Sequence, residues 1–210
     1  MSNNPWQEIS LSDYENHMSL DSVRQLQSMN NTMKSQFDSY DVKIVMILGI
    51  AGGNGLEHVN TGKFGKVYGV DINEDYLQVV GDRYNSLDGI LECLCIDLIK
   101  EAEKLPRAEL LIANLLIEYI GYEVFGNVVK AVNPKYVSAV IQINTDEINW
   151  VSDSPYIHAF DRLDEVHHRV SEKGLNETMA ESGYRPIFKE ADMLPSGKAL
   201  LRLDYTEINN

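Results

Sequence analysis

Apolar residues along the chain follow two kinds of pattern. Continuous apolar runs, typical of strands buried on both faces, cover residues 43–50, 66–71, 90–97, 109–115 and 136–144. Between these runs the pattern changes to a helical one, which predicts helices near 54–62, 74–86, 98–104 and 121–132. Strands that alternate with helices in this way form a parallel sheet covered by helices.

The two ends of the chain depart from this alternation. Residues 8–40 read as helical with a break near Ser10–Ser12, and one apolar face of this region carries Val23, Leu26, Met29, Met33 and Phe37. An irregular segment with aromatic residues, 145–168, precedes a predicted helix over Val170–Ser182. The last apolar runs, Tyr184–Glu190 and Lys198–Tyr205, flank a Pro- and Gly-containing connection and predict a hairpin.

These elements predict an α/β fold class, with a doubly wound, mostly parallel seven-stranded sheet, helices on both faces and a C-terminal antiparallel hairpin. A chain of 210 residues can bury a full hydrophobic core as a single domain.

Composition narrows the possible partners. The net charge is −14 and the sequence pI is about 4.7, which disfavours nucleic acid as a partner because phosphate backbones recruit basic surfaces. No apolar run is long enough to span a membrane and the first residues do not resemble a signal peptide, so we expect no membrane partner and a cytoplasmic location. Cys93 and Cys95 are expected to be small core residues, and no metal site is predicted.

The first predicted strand runs into a glycine-rich turn, Gly49–Gly55. Backbone without side chains lets a ligand approach closely, and the N-terminus of a following helix favours an electron-rich group. The second strand ends on Asp71, whose carboxylate could accept hydrogen bonds from both hydroxyls of a ribose. Two simpler interpretations stay open: the turn could be a tight strand-to-helix connection, and Asp71 could cap a helix.

The third strand ends in the same way, on Asp97 followed by Leu98 and Ile99. A carboxylate at this strand end could accept a hydrogen bond from the amine of adenine, while the apolar residues pack on the base. Asp97 alone could equally be a helix N-cap. Ligand-type residues at three successive strand ends together favour a nucleoside site.

These motifs resemble those of the class I S-adenosylmethionine-dependent methyltransferases, and the resemblance spans about residues 43–205. Ile47–Gly55 resembles the first motif of that family, Asp71 its ribose-binding acid and Asp97 its adenine-contacting acid. Ala108–Asn114 resembles the fourth strand, whose end faces the methyl group, and the terminal hairpin resembles the sixth and seventh strands.

The resemblance implies a Rossmann-like methyltransferase domain over residues 43–210, preceded by an N-terminal helical cap over residues 1–42. It implies S-adenosylmethionine as the cofactor and S-adenosylhomocysteine as its product. Because the negative net charge disfavours nucleic acid, we expect a small-molecule acceptor. The implied cofactor site consists of Gly49, Ile50, Ala51, Gly53, Gly55, Asp71, Ile72, Asp97, Leu98 and Asn114.

The glycine turn departs from the family pattern at two positions. Gly49 stands where the family commonly has an acid, and Ala51 stands where it has its first glycine. One alternative is an NAD(P)-dependent oxidoreductase, although the turn fits G-x-G-x-x-G poorly. A second alternative is a non-catalytic nucleoside-binding partner protein.

Catalysis by alignment of a reactive donor needs no catalytic triad, so the candidate catalytic residues are those expected near the acceptor. Tyr14 and His17 share one face of a predicted helix, and Glu118 and Tyr119 follow the fourth strand. The alternative interpretations are a capping surface for the first pair and, for Glu118, a solvated position at the start of a packed helix. The acceptor atom stays open among oxygen, nitrogen, sulfur and carbon.

The segment 145–168 follows Gln142 and Asn144 at the end of the fifth strand, and four of its residues could wall an acceptor pocket: Trp150, Tyr156, His158 and Phe160. They could equally form the core of an inserted subdomain or a dimer surface, and a homodimer is possible. Neighbouring residues on a helix point in different directions, so His167 and His168 are expected at a surface or interface rather than on one metal ion.

Overall fold

A computed structural model of the chain describes residues 4–143 and 151–208. Seven strands form one sheet, and they are β1 (Ile44–Leu48), β2 (Lys66–Asp71), β3 (Leu91–Cys95), β4 (Leu110–Asn114), β5 (Tyr136–Ile143), β6 (Tyr184–Met193) and β7 (Ala199–Glu207). Their order is β3-β2-β1-β4-β5-β7-β6, and only β7 runs antiparallel to its neighbours. The predicted doubly wound sheet with its terminal hairpin is confirmed.

The helices are α1 (Leu11–Ser19), α2 (Gln25–Ser39), α3 (Glu74–Arg83), α4 (Leu98–Glu101), α5 (Ile117–Val132) and α6 (Glu172–Glu181). Short 3₁₀ segments occur at Pro5–Gln7, Leu56–His58, Asn85–Leu87 and Ala102–Lys104, and a longer one at Ile157–Glu165. No helix in the described part of the chain is both long and apolar enough to cross a membrane.

The apolar strand runs supply two cores, one on each face of the sheet. Along β1, Met46 and Leu48 pack with apolar side chains of α4, α5 and α6, whereas Val45 and Ile47 pack with those of α2 and α3. This alternation is what a strand needs when helices cover both of its faces. The division of the chain into a cap of residues 1–42 and a domain of 43–210 stays a prediction, but α2 already belongs to the helical layer of the sheet.

Two helix predictions need correction. The helix expected over 54–62 is wrong, because only Leu56–His58 forms a 3₁₀ turn. Gly55 has a φ of 93°, and the side chain of Asn60 accepts a hydrogen bond from the N–H of Gly62 at 2.9 Å, so neither end of this segment continues a helix. The helical region 8–40 has the expected break near Ser10, which caps α1, but also a second one at residues 20–24.

A buried polar network fixes α2 to the sheet. Arg202 and Asp204 of β7 form an ion pair in which the two side chains are 4% and 1% exposed. Asp204 also accepts a hydrogen bond from the hydroxyl of Tyr40 at 2.6 Å, and Arg202 donates to Ser35 of α2 at 2.8 Å. The guanidinium and the carboxylate therefore compensate each other's buried charge, and their further hydrogen bonds attach α2 to β7.

We expect Asp204→Ala to lower the free energy of unfolding by about 3–5 kcal/mol, because it leaves the Arg202 guanidinium buried without its counter-charge. Asp38→Ala is the matched control, since it breaks a surface pair with Lys34 and should cost less than about 1 kcal/mol. Urea unfolding of both variants measures the difference. Equal losses would show that the buried pair is not a special source of stability.

Candidate functional site

The chain reverses its direction across the sheet between β1 and β4, and a cavity of about 570 Å³ opens beside the carboxyl ends of these strands. This reversal point is where ligands bind in doubly wound sheets, and the volume is that of a small-molecule site. The predicted cofactor residues that line the cavity are Gly49, Ala51, Asp71, Ile72, Asp97, Leu98 and Asn114.

Three other predicted cofactor residues lie in the turn but do not line the cavity: Ile50, Gly53 and Gly55. A Cβ atom at Gly53 would approach the ring of Tyr84 to 2.7 Å, and one at Gly55 would approach the side chain of Met33 to 2.5 Å. These two glycines therefore allow the turn to pack against α2 and the end of α3, in addition to supplying positive φ angles of 79° and 93°.

Ala51 adopts a φ of 46°, in the left-handed region that favours glycine. Its N–H donates a hydrogen bond of 2.9 Å to Oδ2 of Asp71, so the strained residue is held by the carboxylate at the neighbouring strand end. Leu115 at the tip of β4 is a second strained position, with a φ of 54°. Backbone strain of this kind collects where a fold positions groups for binding or catalysis.

Asp71 holds together the ends of β1 and β2. Besides the bond from Ala51, its Oδ1 accepts a hydrogen bond from the N–H of Asn73 at 3.0 Å. Burial raises the pKa of Asp71 above its ordinary value, and the backbone N–H donors act in the opposite direction. The helix-cap interpretation of Asp71 does not hold, because the side chain of Asn73 caps α3. Each carboxylate oxygen keeps further acceptor capacity toward the cavity.

Asp97 has the capping role that the sequence left open. Its Oδ1 accepts a hydrogen bond from the N–H of Ile99 at 3.0 Å and so caps the N-terminus of α4. Its Oδ2 accepts a hydrogen bond from Nζ of Lys100 at 2.6 Å. The carboxylate nevertheless lines the cavity, together with the apolar side chains of Ile72, Ile96 and Leu98. This end of the cavity combines an apolar slot with an acceptor at its rim.

The polar atoms of the Asn114 side chain are hydrogen-bonded within the protein. Its amide exchanges two hydrogen bonds with the amide of Gln36 on α2, both of 2.9 Å. Gln36 is fully buried and donates in addition to Ser138 of β5. Asn114 therefore contributes to the cavity wall while its polar atoms join β4 to α2.

Two segments form the roof of the cavity, residues 4–19 and residues 151–171. Ile9, Phe160 and Leu163 make its buried apolar cluster, against which half-buried residues pack, Tyr14 and Tyr119 among them. The roof is attached to the α3 side by the hydrogen bond from Tyr76 to the carbonyl of Ile9 at 2.8 Å, and by the ion pair between Arg83 and Glu15. The aromatic segment after β5 is thus packed onto the N-terminal segment.

Tyr14 and His17 of α1 both line the cavity from the roof. His17 is 3% exposed, and one ring nitrogen, Nδ1, lies 2.7 Å from the hydroxyl oxygen of Ser154. Burial, followed by the positive charge of Lys198, lowers the pKa of His17, so its neutral form dominates near neutral pH. Burial and then the charge of Asp71 raise the pKa of Tyr14, which keeps its hydroxyl protonated.

Glu118 is 5% exposed and lines the cavity, so the interpretation of a solvated side chain is wrong. Its Oε2 has no hydrogen-bond partner within the described parts of the chain. Burial is the main reason why the pKa of Glu118 rises to about 7. Burial, and then the charges of Glu118 and Tyr14, raise the pKa of Tyr119 well above its ordinary value.

Several residues outside the predicted set also line the cavity: Trp6, Leu163, Asp164, His167 and Arg169. No periodic or motif signal marks them, because they lie in 3₁₀ or irregular segments. Of the predicted wall residues, Gln142 and Phe160 line the cavity, Tyr156 packs in the roof, and His158 is exposed beside Asp161. Asn144 and Trp150 lie outside the described residues. His168 is exposed, and no group of possible metal ligands occurs among the residues that the structure describes.

The whole fold matches solved structures of several enzymes. It superposes on an N-methyltransferase, NodS from Bradyrhizobium japonicum, solved with S-adenosylhomocysteine (TM-score 0.67, 11% identity, 98% of this chain and 99% of that one). It also superposes on a magnesium protoporphyrin IX methyltransferase from Synechocystis, again with S-adenosylhomocysteine (TM-score 0.66, 8% identity, 96% and 95%). A third match is the [4+2]-cyclase SpnF (TM-score 0.65, 9% identity, 86% and 81%).

No protein-family model matches the sequence, and no curated protein matches it. At these low identities the structural matches show the fold alone, which this chain shares with the two methyltransferases. SpnF has the same fold but is described as a [4+2]-cyclase, so the fold alone does not identify the reaction. Function must therefore be argued from the site of this chain.

We expect Ala51→Gly to stabilise the protein by about 0.5–1 kcal/mol, because glycine adopts the left-handed backbone without the steric cost of a Cβ atom. Ala180→Gly, at an exposed position of α6, is the control and should lose up to about 1 kcal/mol. Urea unfolding measures both. A loss of stability at position 51 that equals the loss at position 180 would contradict the strain.

We expect Glu118→Gln to be more stable than the parent protein at about pH 8, by about 3 kcal/mol, and no more stable at about pH 4. The folded-state pKa of about 7 lies above the ordinary value of 4.5. The unfolded chain therefore ionises first as the pH rises from 4.5 to 7, and the parent loses stability over that range.

Urea unfolding at the two pH values measures this effect. Glu123→Gln, at an exposed position of the same helix, is the control and should change stability little at either pH. A gain for Glu118→Gln that is equal at both pH values would exclude a buried charge as its cause.

Proposed function

We propose that this chain is an S-adenosylmethionine-dependent methyltransferase that acts on a small molecule. The observation that carries this proposal is the convergence of Gly49, Ala51, Asp71 and the Asp97–Leu98 pair on one cavity at the reversal point of the sheet. Two methyltransferases with the same fold were solved with S-adenosylhomocysteine, which supports the same choice of ligand.

The residues present fit an adenosine. Asp71 would hold the ribose hydroxyls, because its two oxygens are oriented by backbone N–H groups and have acceptor capacity left. Ile72, Ile96 and Leu98 would pack on the adenine ring, with Asp97 at the edge that carries the exocyclic amine. Gly49 and Ala51 would leave room beside the backbone for the methionine side.

Gly49 supplies no carboxylate to the methionine end. A Cβ atom at this position would lie 3.1 Å from Cδ1 of Leu116, so Leu116 already covers the place where a larger residue would begin. When bound, S-adenosylmethionine supplies an electrophilic methyl group on a positively charged sulfur. The residues around it need to orient the acceptor, exclude water and accept a proton.

The acceptor would lie under the roof, at the side of β4 and β5. Glu118 and His17 are the proposed proton acceptors, since both are buried, line the cavity and titrate near neutral pH or below it. Tyr14 and Tyr119 keep their protons and would orient the acceptor through hydrogen bonds or ring contacts. The net charge of −14 supports a small molecule rather than a nucleic acid as the acceptor. We also propose a cytoplasmic location.

We expect Asp71→Ala to weaken the binding of S-adenosylhomocysteine by about 2–4 kcal/mol, because two charge-assisted hydrogen bonds are lost. Asp82→Ala removes an exposed carboxylate from α3 and should leave the affinity unchanged. Calorimetry measures both, and circular dichroism reports whether the variant without the Ala51 contact remains folded.

The same titration with NAD(P) separates the alternatives. Binding of S-adenosylmethionine and S-adenosylhomocysteine without NAD(P) supports the proposal, whereas binding of NAD(P) alone would favour an oxidoreductase. A folded Asp71→Ala variant with the parent affinity would place the ribose elsewhere and overturn the site.

A further inference from the structure

The Glu118 carboxylate is buried with one oxygen that has no hydrogen-bond donor among the described residues. Its side chain is 5% exposed at the start of α5, and Oε2 has no hydrogen-bond partner in residues 4–143 and 151–208. Buried polar atoms almost always have such a partner, and an unpaired buried carboxylate destabilises the fold. Because Glu118 lines the cavity, a ligand can supply the missing donor.

The position of Glu118 indicates which part of a ligand meets it. The nucleoside residues come from the ends of β1, β2 and β3, whereas Glu118 follows β4 and shares its side of the cavity with Gln142 and Ile143 of β5. Its carbonyl accepts a hydrogen bond from the N–H of His168 at 2.6 Å, which joins it to the roof. Glu118 therefore faces the acceptor half of the proposed site.

Three aromatic rings in mutual contact line the same cavity as Glu118. The ring of Trp6 lies 4.8 Å from that of Tyr119 and 5.9 Å from that of Tyr14, and all three line the cavity. Ring faces attract cations, and the attraction is strongest where water is excluded. A cavity lined by a buried carboxylate and by aromatic rings suits an ammonium group far better than an anion.

Other charged groups line the cavity but do not alter this conclusion. Asp164, His167 and Arg169 each have interaction partners within the protein, and Asp164 and Arg169 are exposed. Glu118 differs from them because it is buried and one of its oxygens has no donor among the described residues.

We propose that the acceptor is an amine, bound as an ammonium by Glu118 within the wall formed by Trp6, Tyr14 and Tyr119. This inference rests on the proposed function, which it makes more specific. The ammonium passes one proton to Glu118, so an N–H bond breaks and an O–H bond forms. The nitrogen lone pair would then form an N–C bond to the methyl group as the S–C bond of the donor breaks, and the electron pair of that bond would stay on the sulfur of S-adenosylhomocysteine. Glu118 later releases its proton to solvent.

Three probes of nearly equal shape test the charge preference: 2-phenylethylamine, 2-phenylethanol and phenylacetate. Calorimetry is performed on the protein saturated with S-adenosylhomocysteine. We expect the amine to bind about tenfold or more tightly than the alcohol, and the carboxylate to bind most weakly. Glu118→Gln should reduce the preference for the amine to less than about threefold, whereas Glu123→Gln should retain it.

The outcomes separate this inference from the proposed function. If S-adenosylhomocysteine binds but the amine and the alcohol bind equally, or if Glu118→Gln keeps the preference for the amine, the amine acceptor is wrong and methyl transfer still stands. If S-adenosylhomocysteine does not bind, the proposed function fails, and titration of the three probes into the free protein still decides whether Glu118 selects a cation.

Discussion

A doubly wound sheet must leave its strand ends uncovered at one place, because the connections on either side of β1 run to opposite edges. In this chain the uncovered strand ends are those of β1 and β4, and hydrogen bonds to the Asp71 carboxylate fix the neighbouring backbone. By accepting from Ala51 after β1 and from Asn73 after β2, it holds two strand ends in one arrangement. The cavity, its apolar slot and its roof are all built around that arrangement.

The site is also where the fold gives up stability. Ala51 and Leu115 have left-handed backbones at two neighbouring strand ends, and Glu118 buries a carboxylate without a full set of donors. By contrast, the Arg202–Asp204 pair is just as buried and is well satisfied by its neighbours. Backbone strain and an incompletely bonded buried carboxylate thus occur together beside the cavity, as is typical of functional sites.

The sequence predicted the sheet well because its strands carry their signal locally. An apolar run that ends on an acid identifies β2 without knowledge of the rest of the fold, and the Pro-Gly connection identifies the hairpin of β6 and β7. The helix expected over 54–62 failed because positive φ angles and a side-chain turn override a weak helical period. Such turn geometry depends on packing against Met33 and Tyr84, which are distant in sequence.

The site was predicted less completely than the fold for the same reason. Asp71 and Asp97 lie at strand ends and could be located from pattern alone. The surroundings of Glu118, in contrast, include residues from far along the chain, such as His168, whose N–H binds its carbonyl. Trp6 lies in a single 3₁₀ turn and Arg169 in an irregular segment, where neither periodicity nor spacing distinguishes a wall residue from a surface one.

The roof has a consequence for how fast ligands can be exchanged. Residues 4–19 are joined to α3 by the Arg83–Glu15 pair and to the segment after β5 by the Arg162–Glu8 pair, and these four side chains are partly exposed. Ion pairs in such positions weaken as dissolved salt screens them. A roof held in part by such pairs should open more readily as ionic strength rises, which would shorten the residence time of a molecule enclosed beneath it.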